Sequence, residues 1–176
     1  ITLSDKGSRG EREDKSGPLI VEMLTAAGYV VEETMLLPDE AKALKAQLIR
    51  LADGRQVNLI LTTGGTGPAR RDVTPDATLA IADREMPGFG EQMRQVSLHF
   101  VPTAILSRQV GVIRKQALIL NLPGQPKAIQ ETLEGVKDAE GNVLVHGIFA
   151  SVPYCVQLLE GPYVETDGRV VEAFRP

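Results

Sequence analysis

The stretch VNLILTTGGTGPARRDVTPDAT, residues 57–78, joins an apolar run to a loop that is rich in glycine and charge. Apolar residues dominate positions 57–62, a pattern typical of a strand that is buried on both faces of a sheet. Strands of this kind belong to parallel sheets that helices cover on both sides. The stretch therefore predicts an α/β fold with a mostly parallel sheet.

The rest of the chain alternates between short apolar runs and apolar residues at helical spacing, which predicts one domain over residues 1–176. The predicted strands cover residues 1–4, 29–37, 57–62 and 117–122, with a short strand within 138–147. The predicted helices cover residues 19–27, 41–54, 74–82, 92–100, 129–136 and 154–159. Thr74, before Pro75, is the predicted N-cap of the third helix. This alternation indicates a three-layer sandwich around the sheet.

The composition excludes several classes of function. A net charge of −4 argues against a broad nucleic-acid surface, and 4% aromatic residues without tryptophan argue against base stacking and membrane-interface belts. We find neither a run of roughly 20 apolar residues nor a basic and apolar leader. The single cysteine, Cys155, indicates a reducing compartment and a buried thiol. We therefore expect a cytoplasmic protein that binds neither nucleic acid nor membrane.

The loop after the central strand has the composition of an anion-binding site. Gly64, Gly65 and Gly67 allow positive φ values, which turn successive backbone N–H groups towards one point. Further donors come from threonine hydroxyls and arginines, namely Thr62, Thr63, Thr66, Arg70 and Arg71. The loop is not a Walker A motif, because no Gly-Lys-Ser/Thr is present, and it lacks the third glycine of the dinucleotide fingerprint. The alternative interpretation is a tight turn after a central strand.

Four polar segments each follow a predicted strand directly: residues 4–5, 38–40, 62–72 and 121–124. Because ligands of open parallel sheets lie outside the carboxyl ends of the strands, we expect these segments to meet at one site.

Two aspartates in these segments, Asp39 and Asp72, suggest that a metal ion accompanies the anion. A carboxylate beside a phosphate is repulsive unless a cation lies between them, and Mg²⁺ is the usual one. The pair therefore indicates metal-assisted phosphoryl or nucleotidyl transfer. Alternatively, Asp39 is a helix N-cap, and Asp72 is a turn residue or a partner of Arg71.

Four motifs resemble the Mog and MoaB family of molybdenum-cofactor biosynthesis. They are LTTGGTGPARRDVTPDAT (61–78), DREMPGFGEQMRQVS (83–97), FVPTAILSRQVGVIR (100–114) and LILNLPGQPKAI (118–129). The resemblance continues through EGPYVET (160–166) and AFRP (173–176) and is looser over residues 1–60. Within the family the chain is most similar to the molybdopterin adenylyltransferases, although DKSGP (14–18) resembles the wider family more.

The resemblance implies an α/β fold, a homotrimer and an enzymatic activity. In that activity, ATP and Mg²⁺ activate molybdopterin to give adenylyl-molybdopterin and pyrophosphate. The product then passes to a partner protein that inserts molybdenum.

The resemblance also implies roles for individual residues. Asp39 and Asp72 would be catalytic and would hold Mg²⁺. The nucleotide and its phosphates would contact Thr63, Gly64, Gly65, Thr66, Gly67, Asn121, Pro123 and Gly124. Ser107 would contact the pterin phosphate together with Arg108, and Asp5 would complete the pterin side.

Other functions remain open from the sequence. A protein of this fold can bind or scaffold molybdopterin without adenylylating it, although the presence of both Asp39 and Asp72 favours the enzyme. Molybdenum insertion would require further domains, and a generic nucleotide-binding protein would not need the AILSR motif. His99 and His146 are expected to be structural. Residues 86–90 are either a mobile edge of the pocket or a helix kink.

Overall fold

A six-stranded sheet organises the chain, of which the computed structural model describes residues 1–164. Its strands are β1 (Thr2–Leu3), β2 (Leu36–Leu37), β3 (Leu59–Thr63), β4 (Arg84–Glu85), β5 (Gly111–Arg114) and β6 (Ala117–Leu122). The spatial order is β2-β1-β3-β6-β5-β4; the first four strands are mutually parallel, whereas β5 and β4 are antiparallel to their neighbours. The predicted mostly parallel sheet is confirmed.

Helices cover both faces of this sheet. They are α1 (Asp5–Ser8), α2 (Ser16–Ala26), α3 (Ala41–Ile49), α4 (Thr74–Leu79), α5 (Pro87–Leu98), α6 (Pro126–Glu134) and α7 (Val152–Leu158). A π-helical turn at Arg50–Gly54 extends α3, and 3₁₀ turns lie at Pro102–Leu106 and Ile148–Ala150. No helix among residues 1–164 is long and apolar enough to cross a membrane.

The fully buried strand β6 divides the interior into two cores. Leu118 and Leu120 pack on one face with residues of α2, α5, α6 and α7, while Ala117 and Ile119 pack on the other with residues of α3 and α4. This alternation follows from the two-residue period of a strand. The predicted three-layer arrangement is therefore confirmed.

The predicted strand at residues 29–37 was wrong over most of its length, because only Leu36 and Leu37 pair. The neighbouring strand β1 offers only Thr2 and Leu3 as partners. Residues 29–35 instead line an open groove, and Glu32 and Glu33 form exposed ion pairs with Arg55 and Arg50. An apolar pattern cannot form a strand without a neighbour to accept its hydrogen bonds.

Two predicted helix boundaries were also wrong. Helix α5 begins at Pro87, not at Gln92, because proline is well suited to a first helical turn; residues 86–90 are thus a helix start. Helix α6 ends before Gly135, whose φ of +93° stops it, and Val136 pairs in a hairpin. The hairpin consists of β7 (Gly135–Lys137) and β8 (Val143–His146).

The hairpin that joins β5 to β6 was not predicted. Its turn is Lys115-Gln116, with Lys115 at a φ of +53°. Neither residue is among the glycines and asparagines that usually indicate such a turn. The pairing of Gly111–Arg114 with Ala117–Leu120 offsets the unfavourable backbone conformation of Lys115.

Candidate functional site

The four polar segments that follow β1, β2, β3 and β6 meet at one edge of the sheet, as predicted. The backbone N–H of Asp5 donates to the carboxylate of Asp39, and the Thr63 hydroxyl donates to the carbonyl oxygen of Pro123 at 2.6 Å. Gly124 approaches Gly64 so closely that a Cβ on Gly124 would lie 3.4 Å from the Gly64 Cα. The carboxyl ends of parallel strands share an edge, which explains why these distant segments converge.

The loop after β3 requires glycine at its first two positions. Gly64 has a φ of +95° and Gly65 a φ of +63°, values that side chains disfavour. A Cβ on Gly64 would collide with the carbonyl oxygen of Leu3, and one on Gly65 would lie 2.6 Å from the Thr74 hydroxyl. Thr74 is not the N-cap of α4, which is Val73. Its hydroxyl instead donates to the Gly64 carbonyl oxygen at 2.9 Å.

Three consecutive amide groups of this loop are available to a ligand. Within residues 1–164, the N–H groups of Gly65, Thr66 and Gly67 donate no hydrogen bond. The carbonyl oxygens of Gly64 and Gly65, in contrast, accept from the hydroxyl and the N–H of Thr74. Free N–H groups in a loop of positive φ form a concave donor site for an anion. The loop is therefore more than the bare turn of the alternative interpretation.

Asp5 and Asp39 are bound to each other through their backbones. Each carboxylate accepts the other residue's N–H at 3.0 Å, and Arg71 donates two side-chain N–H groups to Asp5 at 2.7 and 3.1 Å. Helix α3 has Glu40 as its N-cap, so the N-cap interpretation of Asp39 was wrong. Arg71 pairs with Asp5, so it is not the partner of Asp72.

The two carboxylates differ in their affinity for a proton. Desolvation, followed by the nearby charges of Asp5 and Asp72, raises the pKa of Asp39 above its usual value, against the backbone hydrogen bond from Asp5. The Arg71 side chain lowers the pKa of Asp5. Arg71 therefore compensates the negative charge of Asp5 more than that of Asp39.

Asp72 lies over the glycine loop. One of its carboxylate oxygens accepts the Ala69 N–H at 2.9 Å, and a Cβ on Gly67 would lie 2.7 Å from that same oxygen. The Asp72 N–H donates back to the Ala69 carbonyl oxygen, so Asp72 does also stabilise a turn. Its carboxylate is thereby held against the backbone that presents the free N–H groups.

Asp39 and Asp72 suit a magnesium ion. Carboxylate oxygens are hard donors, and desolvation, followed by the charges of Asp5 and Asp72, raises the pKa of Asp39, so a divalent cation would stabilise its charged form. Among residues 1–164, no group of three or more His, Cys, Asp or Glu side chains is placed to hold a metal. Magnesium is commonly bound by one or two carboxylates together with substrate phosphates, so this donor set fits it.

Asn121 lies beneath the loop and not on its surface. Its side chain is fully buried, and its amide donates to the hydroxyls of Thr62 and Thr78 at 2.9 and 3.0 Å. This network joins β6, β3 and α4. We therefore expect the Asn121 side chain to position the strand ends, while Pro123 and Gly124 remain at the edge where a nucleotide would lie.

Ser107 and Arg108 approach the loop from the opposite side. The Ser107 hydroxyl donates to the side chain of the buried Gln109 at 2.7 Å. The Arg108 guanidinium donates to the carbonyl oxygens of Gly67 and Asp72 and forms an ion pair with Asp76 at 3.0 Å. The structure therefore brings Arg108, a predicted pterin residue, into contact with the glycine loop itself.

The comparisons with known proteins agree with this architecture. The model of a family described as a probable molybdopterin binding domain matches residues 1–139. The chain belongs to this family.

Relatives and solved structures support the same family over the full chain. The molybdopterin adenylyltransferase of Escherichia coli K12 is 71% identical, in an alignment that covers this whole chain and 91% of the relative. That of Haemophilus influenzae is 63% identical, in an alignment that covers this whole chain and 90% of the relative. The crystal structure of the molybdopterin biosynthesis enzyme MoaB from Thermus thermophilus has a TM-score of 0.80 and 41% identity, over 93% of this chain and 96% of that one. The resemblance stated from the motifs is confirmed; its AFRP part lies outside the described residues.

In this member of the molybdopterin-binding family, sequence reasoning missed two residues that shape the loop. Thr74 was interpreted as a cap, and Asp76 was given no role. The motif VTPDAT at 73–78 contains both, but their partners Gly64 and Arg108 are set by tertiary contacts. The one available signal was a carboxylate in the first turn of a helix that starts beside a phosphate loop, where it would repel an anion unless paired.

Proposed function

We propose that this chain adenylylates molybdopterin with ATP, giving adenylyl-molybdopterin and pyrophosphate in molybdenum-cofactor biosynthesis. The names of its relatives at 63% and 71% identity support this activity. The observation that carries the proposal is the juxtaposition of three free amides, Gly65 to Gly67, with the carboxylates of Asp39 and Asp72. Such a site suits a polyphosphate that reacts with the help of a cation.

The loop amides would hold the phosphates of ATP and stabilise the negative charge that develops on their oxygens. The terminal phosphate of molybdopterin attacks the α-phosphorus of ATP. A new phosphorus–oxygen bond forms, the bond between the α-phosphorus and the bridging oxygen breaks, and pyrophosphate leaves with that electron pair. The attacking phosphate is already ionised at neutral pH, so this reaction requires no general base.

Asp39 and Asp72 would hold the magnesium ion of the reaction. When bound, the ion neutralises charge on the phosphate oxygens and fixes their geometry. A cation would stabilise the charged form of Asp39, which desolvation disfavours. Asp72 would hold the ion beside the loop, since its carboxylate accepts a hydrogen bond from the Ala69 N–H.

The pterin would contact Ser107, with Asp5 as a further contact. The Ser107 hydroxyl is partly exposed and is oriented by Gln109, which makes it suitable for a pterin phosphate. Asp5 is held by Arg71 and would face the pterin with a fixed carboxylate.

We also propose that the enzyme is a cytoplasmic homotrimer that delivers its product to a molybdenum-insertion protein. Large apolar side chains are exposed within residues 98–106 and 143–144 as well as at isolated positions; among them Ile105 is 73% and Leu144 is 63% exposed. A cavity of about 680 Å³ lies between α5 and β8, and Leu144 is among the residues that line it. Apolar surface of this extent supports a contact between subunits. The single cysteine, half-buried Cys155, supports a reducing compartment.

The experiment is product analysis. The purified protein is mixed with molybdopterin, ATP and Mg²⁺, and adenylylated pterin and pyrophosphate are measured, with the Asp72→Asn variant as control. We expect pyrophosphate only when pterin is present, and its loss in the variant. Pterin binding without any adenylylated product would contradict the proposal and indicate a binding or scaffold protein.

A further inference from the structure

All three nitrogens of the Arg108 guanidinium are bound within the protein. Nε donates to the Gly67 carbonyl oxygen at 2.9 Å, and one terminal nitrogen donates to the Asp72 carbonyl oxygen. Both terminal nitrogens donate to the Asp76 carboxylate, at 3.0 and 3.1 Å. The backbone N–H of Arg108 also donates to the Thr66 carbonyl oxygen at 2.9 Å. Arg108 thus contacts both ends of the segment from Thr66 to Asp72.

These contacts fix the direction of the loop amides. The C=O and the N–H of one trans peptide point in opposite directions. Since the Thr66 carbonyl points to Arg108, the N–H of Gly67 points away from it. The carbonyls of Gly64 and Gly65 point to Thr74, so the N–H groups of Gly65 and Thr66 point away from that residue.

We propose that Arg108 and Asp76 form a clamp that holds residues 66–72 in their anion-binding shape, so that Arg108 is a positioning residue and not a phosphate ligand. Arg108 binds carbonyl oxygens of the second half of the loop, as Thr74 binds those of the first half. The use of this shape for ATP rests on the proposed function.

Asp76 is essential to this inference because, within residues 1–164, Arg108 is the one other residue whose side chain contacts its carboxylate; the carboxylate also accepts its own backbone N–H. Its side chain is 64% exposed and points to the guanidinium, whose proximity lowers the pKa of Asp76. If Arg108 bound a substrate phosphate, the Asp76 carboxylate would compete for the guanidinium and weaken that binding. An arginine that is meant to hold carbonyl oxygens gains from one, because the carboxylate fixes the plane of the guanidinium and balances its charge.

The two roles predict opposite effects of Asp76→Asn. If Arg108 is a clamp, this substitution loosens the loop and reproduces the effect of Arg108→Gln. If Arg108 binds a phosphate, the substitution frees the guanidinium and leaves ATP affinity unchanged or improved. Asp53→Asn is the matched control, since Asp53 forms an equivalent two-pronged pair with Arg114 away from the loop.

The experiment measures amide hydrogen exchange at residues 72–74, ATP affinity by calorimetry, and kcat and KM for ATP. The amides of Asp72, Val73 and Thr74 report on the loop because they donate to carbonyl oxygens within it. We expect Asp76→Asn and Arg108→Gln each to accelerate this exchange and to weaken ATP binding about tenfold, with the larger change in KM. We expect the double variant to be no worse than Arg108→Gln, and Arg108→Lys not to restore binding, because one ammonium cannot replace the guanidinium fork.

The clamp would be overturned if Asp76→Asn left the amide exchange unchanged. It would also be overturned if Arg108→Gln weakened ATP binding while Asp76→Asn did not. Amide exchange needs no turnover, so it tests the clamp even if the wild-type protein forms no adenylyl-molybdopterin. That separate failure would count against the proposed function only. Asp76 is a surface residue, so the Asp76→Asn variant remains informative if Arg108→Gln does not fold.

Discussion

Asp5 and Asp39, 34 residues apart in the sequence, each accept a hydrogen bond from the backbone N–H of the other at 3.0 Å. The arrangement joins the carboxyl ends of β1 and β2 and holds two carboxylates side by side. Arg71 neutralises Asp5, while Asp39 retains a raised pKa. The site therefore contains one carboxylate that is paired with an arginine and one whose charged form is disfavoured by desolvation.

We expect Asp39→Asn to abolish most activity but to make the protein more stable at neutral pH. Because the folded-state pKa of Asp39 lies above the usual value, the folded protein holds this proton more tightly than the unfolded chain. The stability of the wild type therefore falls as the pH rises through that window, and asparagine removes this loss. Thermal melts at neutral pH and below about pH 3.9, the ordinary pKa of aspartate, should show the advantage only at neutral pH.

Asp5→Asn is the matched control for this prediction, and it should behave in the opposite way. Arg71 lowers the pKa of Asp5, so the pair adds stability above the usual pKa of aspartate, and that stability is lost as the pH falls through the lowered value. The Asp5→Asn variant should melt below the wild type at neutral pH, with a difference that shrinks in acid. Equal melting of both variants and the wild type would contradict the charge distribution described above.

Asp72→Asn should keep the fold and sharply reduce turnover. Asparagine still accepts the Ala69 N–H, so the turn is retained, but it is a poorer ligand for a divalent cation. The measurement is the melting temperature against Mg²⁺ concentration in the presence of ATP, together with turnover. We expect magnesium to stabilise the wild type more than the variant; full turnover of the variant at saturating magnesium would remove Asp72 from the mechanism.

Gly65→Ala should weaken both stability and ATP binding. The new Cβ would lie 2.6 Å from the Thr74 hydroxyl and 3.2 Å from an Asp39 carboxylate oxygen, at a φ of +63°. Backbone strain of this kind costs about 1–3 kcal/mol of unfolding free energy, and the clash adds to it. Denaturant unfolding and ATP calorimetry measure the two effects.

Gly141→Ala is the control for backbone strain alone, because Gly141 also has a positive φ, +87°, but a Cβ there meets nothing within 4 Å. It should lose stability without losing ATP affinity. Equal loss of affinity in the two alanine variants would contradict the role of the loop.

Leu144→Glu should dissociate the proposed trimer. Leu144 is 63% exposed on β8 and borders the cavity against α5, so a carboxylate there would be desolvated in a subunit contact. Light scattering after size-exclusion chromatography should give a trimer mass for the wild type and a smaller mass for the variant. Val30→Glu, at an 82% exposed apolar residue outside this cavity, should keep the wild-type mass. A monomeric wild type would overturn the assembly.

Strand prediction succeeded best at the centre of the sheet, for β3 and β6, and the short strand predicted within residues 138–147 is confirmed by β8. Strand β5 also lies inside the sheet but was not predicted. Strand β6 was predicted at its observed bounds, residues 117–122, because a strand with neighbours on both sides and helices on both faces must be apolar throughout. Residues 29–35 are also rich in β-branched and aliphatic side chains but have no paired neighbour, and there the prediction was wrong. Strand formation at an edge depends on the neighbouring strand, which no local pattern describes.

The sequence by itself determined the central parallel strands, the glycine loop and the placement of Asp39 and Asp72 after strand ends, because periodicity and backbone freedom are local properties of the chain. Only the tertiary structure decided which charges meet. Arg71 pairs with Asp5 across 66 positions, and Arg108 pairs with Asp76 across 32. A long charged side chain pairs with the oppositely charged group that the fold brings within its reach, and the strand order β2-β1-β3-β6 decides which groups those are.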